Sequence, residues 1–433
     1  MSRYKRYEKY KDSGVEWIGE IPEHWELNKL KRLSNIITGN TPSKSEEENY
    51  DDEGIPWVKP DNIQDDGTVS ETKERLSVIG LQKARLIPKN SAIVCCIGTV
   101  GKVGFTQQDC TTNQQINSII FDRISIWNSK YGFYCLYSSK NEHEKYSNKV
   151  VVSILNKTQQ GNIIMPVPSL DEQKAIVNFL DQKTAEIDAL IADKEKLIQL
   201  LQEKRQAIIT EAVTKGLNPN VKMKDSGIEW IGEIPEHWNL RRIKYLANVR
   251  NVKAVDSDND KTYIGLENIE SRTGKLLLNR NDEQQLIGET ANIFKKGDVL
   301  FGKLRPYLAK CIIADFDGRC TSELLVLRTT SYILPEYLYF LMLSPKFIDV
   351  VNSSTYGAKM PRASWDFIGN LQIPLPSIKE QEEIVEYLTE FIRRIDDLIS
   401  DINTQIQKLK EYRQSLIFEA VTGKIDVRDY VVD

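Results

Sequence analysis

The side chains best suited by type to do chemistry in this chain are amides, arginines and lysines in polar loops. The first half of the 433-residue sequence carries Lys59 and Asn62 in a KPDN run and Thr99 and Lys102 in GTVGK. It also carries Asn113, Gln114 and Gln115 in TNQQ, and Lys157 and Gln159 in NKTQQ. The second half carries Arg272, then Lys303, Arg305 and Tyr307 in KLRPY, then Lys359 and Arg362 in KMPR. An amide can grip the edge of adenine, and an arginine fork the edge of guanine, each with two hydrogen bonds. Lysine and hydroxyl side chains suit phosphate oxygens, which set register without reporting sequence. Taken singly, each of these is also an ordinary solvated loop residue. Their weight comes from being grouped, and from differing between the two halves.

Other chemistries fit less well. Glu23-His24-Trp25 and Glu236-His237-Trp238 invite an acid–base reading. Neighbours on an extended segment point to opposite sides, however, and Trp17, Ile18, Ile21 and Trp25 read as a packing clamp. Gly98 to Gly104 faintly resembles a phosphate loop, but the Walker pattern needs Ser or Thr after its Gly-Lys to hold Mg²⁺. Val103 stands there instead. A glycine-rich turn holding Lys102 toward a phosphate backbone fits better, and so does an ordinary hairpin. Three histidines and six scattered cysteines offer no cluster of zinc ligands. The Asn-Pro-Pro-Phe or Asp-Pro-Pro-Tyr motif of adenine methyltransferases is missing, as is any clear nuclease or helicase signature.

The elements that must position these loops are duplicated. Residues 11–25 (KDSGVEWIGEIPEHW) recur at 224–238 with one change, Val15 to Ile228. Pro168-Ser169-Leu170-Asp171-Glu172-Gln173 recurs as Pro376-Ser377-Ile378-Lys379-Glu380-Gln381, and Glu211-Ala212-Val213-Thr214 as Glu419-Ala420-Val421-Thr422. Each half begins and ends alike while its middle differs. A long unit repeated only twice implies two similar lobes rather than a solenoid. Runs such as 91–97 and 116–121 read as strands between turns, and 129–141 as helix. Pro-Ser before acidic residues marks a helix start. Apolar residues then recur at Ile176, Leu180, Ile187, Leu190, Leu197, Leu201 and Ile208, matched by Ile384, Leu388, Ile395, Leu398, Gln405, Leu409 and Leu416. This predicts a long coiled-coil helix in each half, capped at Gly216 and Gly423. Lys183, Lys194 and Lys204 stand on the first seam where Phe391, Ile402 and Tyr412 stand on the second, so the two seams are not identical. An antiparallel helix pair with one lobe at each end satisfies the symmetry.

Composition sets bounds. Hydrophobic residues make up 40% and charged residues 28%, as in a globular protein. No run is apolar enough to cross a bilayer, and the leading MSRYKRYEKYK lacks a signal core. This basic lead, residues 1–11, is expected to be mobile. The cysteines fit reduced thiols in a cytoplasmic protein. A formal net charge of −4 argues mildly against a generic nucleic-acid binder. Any basic groove must be local.

The duplicated opening, helix start and helix end together resemble the specificity subunit of type I restriction-modification enzymes, over about Lys11 to Asp426. GTVGKVGFTQQDCTTNQQINSIIF and GKLRPYLAKCIIADFDGRCTSELLVLR resemble recurrent segments of that family's recognition domains. The resemblance implies an α+β fold: two globular α/β target recognition domains separated by two long antiparallel coiled-coil helices, in a pseudo-twofold internal repeat. On this reading residues 1–168 and 218–376 are the recognition domains. Residues 169–217 and 377–433 are the helical spacers, the second with a tail. Each lobe is expected to read one half of a bipartite, asymmetric site in double-stranded DNA. The helices set the gap and dock two methyltransferase subunits, and through them motor-nuclease subunits. The chain itself is expected to be non-catalytic and to hold neither cofactor nor metal. S-adenosylmethionine, ATP and Mg²⁺ belong to the partners, and no membrane is involved. Two other readings remain open: a catalytic methyltransferase or nuclease with fused recognition lobes, and a coiled-coil scaffold for proteins.

Overall fold

A computed structural model of the chain describes residues 4–149, 153–255, 258, 260–277, 291–357 and 359–430. It forms two compact units, residues 1–193 with 404–433 and residues 194–403. Two helices, Leu170–Lys215 and Ile378–Val421, are 46 and 44 residues long. At 1.5 Å per residue they measure about 69 and 66 Å. Each unit holds one globular lobe, the beginning of one long helix and the end of the other.

The repeated motifs build the joint between lobe and helix. At the first helix start, the Ser169 hydroxyl accepts from the Glu172 N–H (3.3 Å), and the Glu172 carboxylate accepts from the Ser169 N–H (3.3 Å). This is a capping box, and Ser377 and Glu380 repeat it. The other carboxylate oxygen of Glu172 accepts from the Trp25 indole (3.3 Å) and faces His24 Nε2 at 2.8 Å. Glu380 does the same with Trp238 (3.2 Å) and His237 (2.6 Å). The acid beside each histidine thus comes from the helix start, and both tryptophans are buried. Burial pushes the Glu380 carboxyl up, but the bonds from His237, Trp238 and Ser377 outweigh it and hold it at about 2. For Glu172 burial is likewise outweighed, and the carboxyl sits below its usual range.

The helix ends are gripped as well. Gly216 and Gly423 adopt φ of +75° and +70° and stop the helices. In unit 1 the buried Tyr131 hydroxyl donates to the Val421 carbonyl (3.1 Å), and in unit 2 Tyr337 donates to Val213 (3.0 Å). Buried Arg413 pairs with Asp188 (2.9 Å) and reaches the Asp66 carbonyl of the lobe. Buried Arg205 pairs with Asp396 (3.2 Å) and reaches the Thr273 carbonyl. Within each unit the two helix segments run antiparallel, since Asp188 near the end of one segment meets Arg413 of the other while Ile176 and Leu180 share a core with Leu416, Ile417 and Val421.

The expected seam is buried only in part. Ile176, Leu180, Ile187, Ile384, Leu388 and Ile395 are buried, and Ile406 is buried beside exposed Gln405. Leu190, Leu197 and Leu398 are about half exposed, at 50%, 45% and 49%. Helix starts gain burial from the lobe that packs on them, with Phe179 and Leu180 sharing a core with Trp25, Trp127 and Tyr131. Leu190, Leu197 and Leu398 belong to neither lobe core among the described residues.

Each lobe carries a four-stranded antiparallel sheet of the same order. In unit 1 it runs Asn35–Thr38, Ile116–Ile120, Ala92–Cys95, Val103–Phe105, and in unit 2 Ala247–Val249, Leu324–Thr329, Val299–Gly302, Cys311–Ile313. A parallel contact follows in each: Trp57 opposite Thr111, and Tyr263 opposite Arg319. From Tyr4 onward the basic lead is fastened rather than free. Tyr7 is 6% exposed and packs on Trp25, while Lys5 bridges Asp426 in the tail. No helix among the described residues is long and apolar enough to cross a membrane.

Candidate nucleic-acid interface

In each lobe three backbone segments meet beside the four-stranded sheet, and they meet in the same register. In unit 1 the Cys96 N–H donates to the Gln115 carbonyl (2.7 Å), the Leu155 N–H to Cys96 (2.8 Å) and the Gly98 N–H to Ser153 (3.1 Å). In unit 2 the Lys303 N–H donates to Glu323 (3.0 Å), the Ala363 N–H to Lys303 (2.9 Å) and the Arg305 N–H to Pro361 (2.8 Å). The bridge of Ile97 with Ile154 corresponds to that of Leu304 with Arg362. Short helices then start at matching caps, Asn156 and Ser364, each accepting from an N–H three residues on. Apart from one side-chain cap in each lobe, backbone carbonyls and amides set this register, so most side chains at the junction are left to vary.

The structure brings most of the sequence-selected residues to these junctions. In unit 1, Asn113, Gln114 and Gln115 form the turn before strand Ile116–Ile120. The Asn113 carboxamide accepts from the Gln115 N–H (3.1 Å) and donates to the Gln115 side chain (2.9 Å). Gln114 is exposed and accepts from Thr41. Thr99 and Lys102 line a cleft of about 330 Å³ with Asp65, Lys140, Glu144 and Ser153. Lys157 is exposed on the helix Lys157–Gln160, and Gln159 closes a capping box with Asn156 and donates to Asn148 (3.3 Å). Lys59 and Asn62 join through the Asn113 N–H, which donates to Val58 (3.1 Å). Both are engaged already. Asn62 caps a turn by accepting from the Lys59 N–H (3.0 Å). The Lys59 ammonium pairs with Glu74 (2.5 Å) and lies over the Trp57 ring. That hydrogen bond holds the Glu74 carboxyl below its usual range.

In unit 2, Lys303, Arg305, Tyr307 and Arg362 converge. Arg272 joins them because its N–H donates to the Leu308 and Ala309 carbonyls (3.2 and 3.3 Å). Tyr356 and Arg362 exchange backbone bonds (3.2 and 3.1 Å), with exposed Lys359 between them. Arg362 makes a two-pronged pair with Glu323 (3.2 and 3.0 Å). Glu323 was not among the residues selected from sequence. Its signal lay in the helix-start offset of 208, which puts it opposite Gln115. The two junctions therefore present different chemistry on one backbone plan. Unit 1 offers chiefly amides with Lys102 and Lys157. Unit 2 offers Lys303, Arg305, Tyr307 and a carboxylate-braced arginine. Both palettes suit base edges and phosphates. Among the described residues no group of three or more His, Cys, Asp or Glu is arranged to hold a metal ion.

Lobe pairs of this plan, joined to paired long helices, define a class of DNA-specificity proteins. The family model described as "Type I restriction modification DNA specificity domain" matches this chain twice, at residues 22–200 and 235–408. The chain belongs to that family. The type I restriction enzyme MjaVIII specificity subunit of Methanocaldococcus jannaschii is 24% identical over 439 residues, covering 94% of this chain and 95% of that one. The EcoDI specificity subunit of Escherichia coli is 23% identical over 290 residues, covering 63% of this chain and 65% of that relative. A solved chain from work on "complex assembly and conformational transition of the type I R-M system" shares 14% identity at a TM-score of 0.67, covering 93% of this chain and 98% of its own. That last likeness concerns the fold.

Proposed function

We propose that this chain is the DNA-reading subunit of a type I restriction-modification complex. Each lobe reads one half of a bipartite, asymmetric site in double-stranded DNA. The observation that carries this reading is the matched pair of junctions, identical in backbone register and different in polar side chains. A shared frame with divergent readers is what two unlike half-sites require. In unit 1, Gln114, Gln115 and Gln159 face bases, buried Asn113 braces Gln115, and Thr99, Lys102, Lys157, Lys59 and Asn62 order the loops or meet phosphates. In unit 2, Arg305, Tyr307 and Arg362 face bases, and Arg272, Lys303 and Lys359 meet phosphates.

The long helices, each continuous through both units, act as the ruler. Half-sites on one face of B-DNA recur about every 34–36 Å, and helices of about 66–69 Å are long enough to span that. They also dock two methyltransferase subunits, which bring the motor-nuclease subunits. The chain is not itself an enzyme and works in the cytoplasm. Its partners bind S-adenosylmethionine, ATP and Mg²⁺. With a net charge of −4, this subunit draws much of its DNA affinity from the complex.

Single-molecule mapping of adenine methylation in the host genome, with and without the gene, tests the reading. Loss of methylation at one interrupted two-part motif is the expected result. Methyl transfer by the purified chain alone would establish an enzyme instead. Inserting one helical turn into both long helices should lengthen the gap and leave both half-sites intact, and an unchanged gap would remove the ruler.

A further inference from the structure

Two turns in the lobes correspond, and they treat their backbone differently. In unit 1 the turn between strands Ala92–Cys95 and Val103–Phe105 uses Gly98 and Gly101 at φ of +81° and +86°. The matching positions in unit 2 are Arg305 and Ala309, at φ of +51° and +47°. The match follows from the bonds of Gly98 to Ser153 and Arg305 to Pro361, and from Lys102 and Lys310 closing the two turns on Cys95 and Gly302. Left-handed backbone is free to glycine and strained for residues with a Cβ. Arg305 also precedes Pro306, which pushes a residue toward extended geometry instead. The fold thus holds an arginine where its own sister lobe uses glycine. Strain of this kind persists where surrounding structure over-determines it, and marks functional positions.

The side chain this backbone carries is exposed, and no described residue bonds its guanidinium. It therefore does nothing for the fold that would explain it. Beside it stands Arg362, braced by Glu323 and joined to the same turn through Leu304. A phosphate contact tolerates a flexible donor, because a point charge meets it from many angles. A two-pronged grip on a base edge needs a fixed direction. The Arg305 N–H on Pro361 and the ring of Pro306 fix the point from which the side chain leaves the turn, within reach of the braced Arg362.

We infer that Arg305 is a specificity-determining residue of unit 2 that reads the O6/N7 edge of a guanine in the major groove. This rests on unit 2 being a DNA-reading lobe. The strained backbone sets where this arginine leaves the turn, and the half-site read by unit 2 contains a G·C pair at that point.

The experiment compares the wild-type full-length chain, assembled with its methyltransferase subunits, with R305G, R305K and A309G in the same complex. Selection from duplexes with randomised half-sites gives the motif. Binding at several salt concentrations gives affinity and salt slope, and thermal unfolding gives stability. R305G is expected to fold and to melt about 2–4 °C higher, because strain is relieved. It should lose about 5- to 150-fold in affinity for the selected site while one G·C position in one half-site becomes degenerate. R305K should lose that same position. A309G should gain stability and leave the motif untouched, which separates relief of strain from loss of the guanidinium. Equal weakening on all duplexes, with a salt slope lower by about 0.9 and rescue by R305K, would make Arg305 a phosphate contact and overturn the inference. An unchanged motif in R305G would overturn it as well. A wild-type complex that selects no motif would remove the DNA reading itself, and this inference with it.

Discussion

The two lobes spend their shared framework differently, and the difference separates what the fold demands from what a binding surface is free to choose. At the joint with the long helices they agree almost atom for atom. Trp25 and Trp238 donate to Glu172 and Glu380, Tyr131 and Tyr337 hold Val421 and Val213, and Arg413 and Arg205 reach from helix to lobe. At the backbone junction beside the sheet they agree in main chain and diverge in side chain. Gln115 becomes Glu323, Ile154 becomes Arg362 and Gly98 becomes Arg305. Joints must satisfy buried polar groups, and few residue sets can do so. Surface positions held by main-chain bonds carry no such constraint.

The comparison can be broken most severely at the joint. Replacing Trp25 or Trp238 with alanine should cost about 3–5 kcal/mol each, as for large buried aromatics, and about equally in the two lobes. Chemical denaturation followed by a probe in each unit would check this. A small loss in either lobe would mean that the clamps are not equivalent.

A difference of about 1 kcal/mol should sharpen it at the buried arginines. Each arginine also bonds a lobe carbonyl, so its removal should cost about 1.5–3 kcal/mol, while the carboxylate left behind keeps partial access to water. Arg413→Ala strands Asp188, for which no second cation pairs among the described residues. Arg205→Ala leaves Asp396 with Lys275 at 2.9 Å. Unit 1 should therefore lose more than unit 2 in the same denaturation experiment, and equal losses would remove Lys275 from the account.

Acid should also tell the lobes apart. His143 is fully buried in unit 1, its Nδ1 has no hydrogen-bond partner among the described residues, and burial pushes its pKa down from 6.5 to about 4. A base held below its ordinary value stabilises the fold above pH 6.5, and that contribution drains away as pH falls toward 4. The full loss is on the order of 3 kcal/mol, at about 1.36 kcal/mol per unit. Unit 2 has Ile348 at the matching place, since Ser139 and Ser344 start the two helices. Melting curves between pH 7 and 4 should show unit 1 weakening first, and His143→Ile should abolish that step. The depressed Glu380 acts lower, losing its contribution only as pH falls from about 4.5 toward 2.

The smallest effect concerns recognition alone. Glu323→Gln gives unit 2 the residue found at that place in unit 1 and frees Arg362 from its brace. It should leave unfolding within about 0.5 kcal/mol, since the pair is partly exposed, and change base preference in one half-site only, read by motif selection. A change in both half-sites would show that the junctions are not independent.

Much of the architecture was legible in the sequence. Residues 11–25 against 224–238, and the repeated helix starts and ends, announced two lobes and two long helices, because buried joints tolerate few residues and so keep their spelling. The capping glycines and the strands near 92–95 and 116–120 were readable for the same local reasons. The partners of the repeated motifs were not. Glu172 serves His24 and Trp25 from 148 and 147 residues away, and no local pattern encodes such a meeting. Leu190 and Leu197 of the seam stay half exposed, since heptad spacing says which face is apolar but not what covers it. The candidate loops were visible by composition, whereas their common register, the place of Glu323 and the strain at Arg305 were not. Sequence by itself determined the duplication and the ends of each half, where apolar burial and capping leave few alternatives. Tertiary structure alone decided that the unlike middles share one backbone, because main-chain hydrogen bonds fix that register and are blind to side-chain identity.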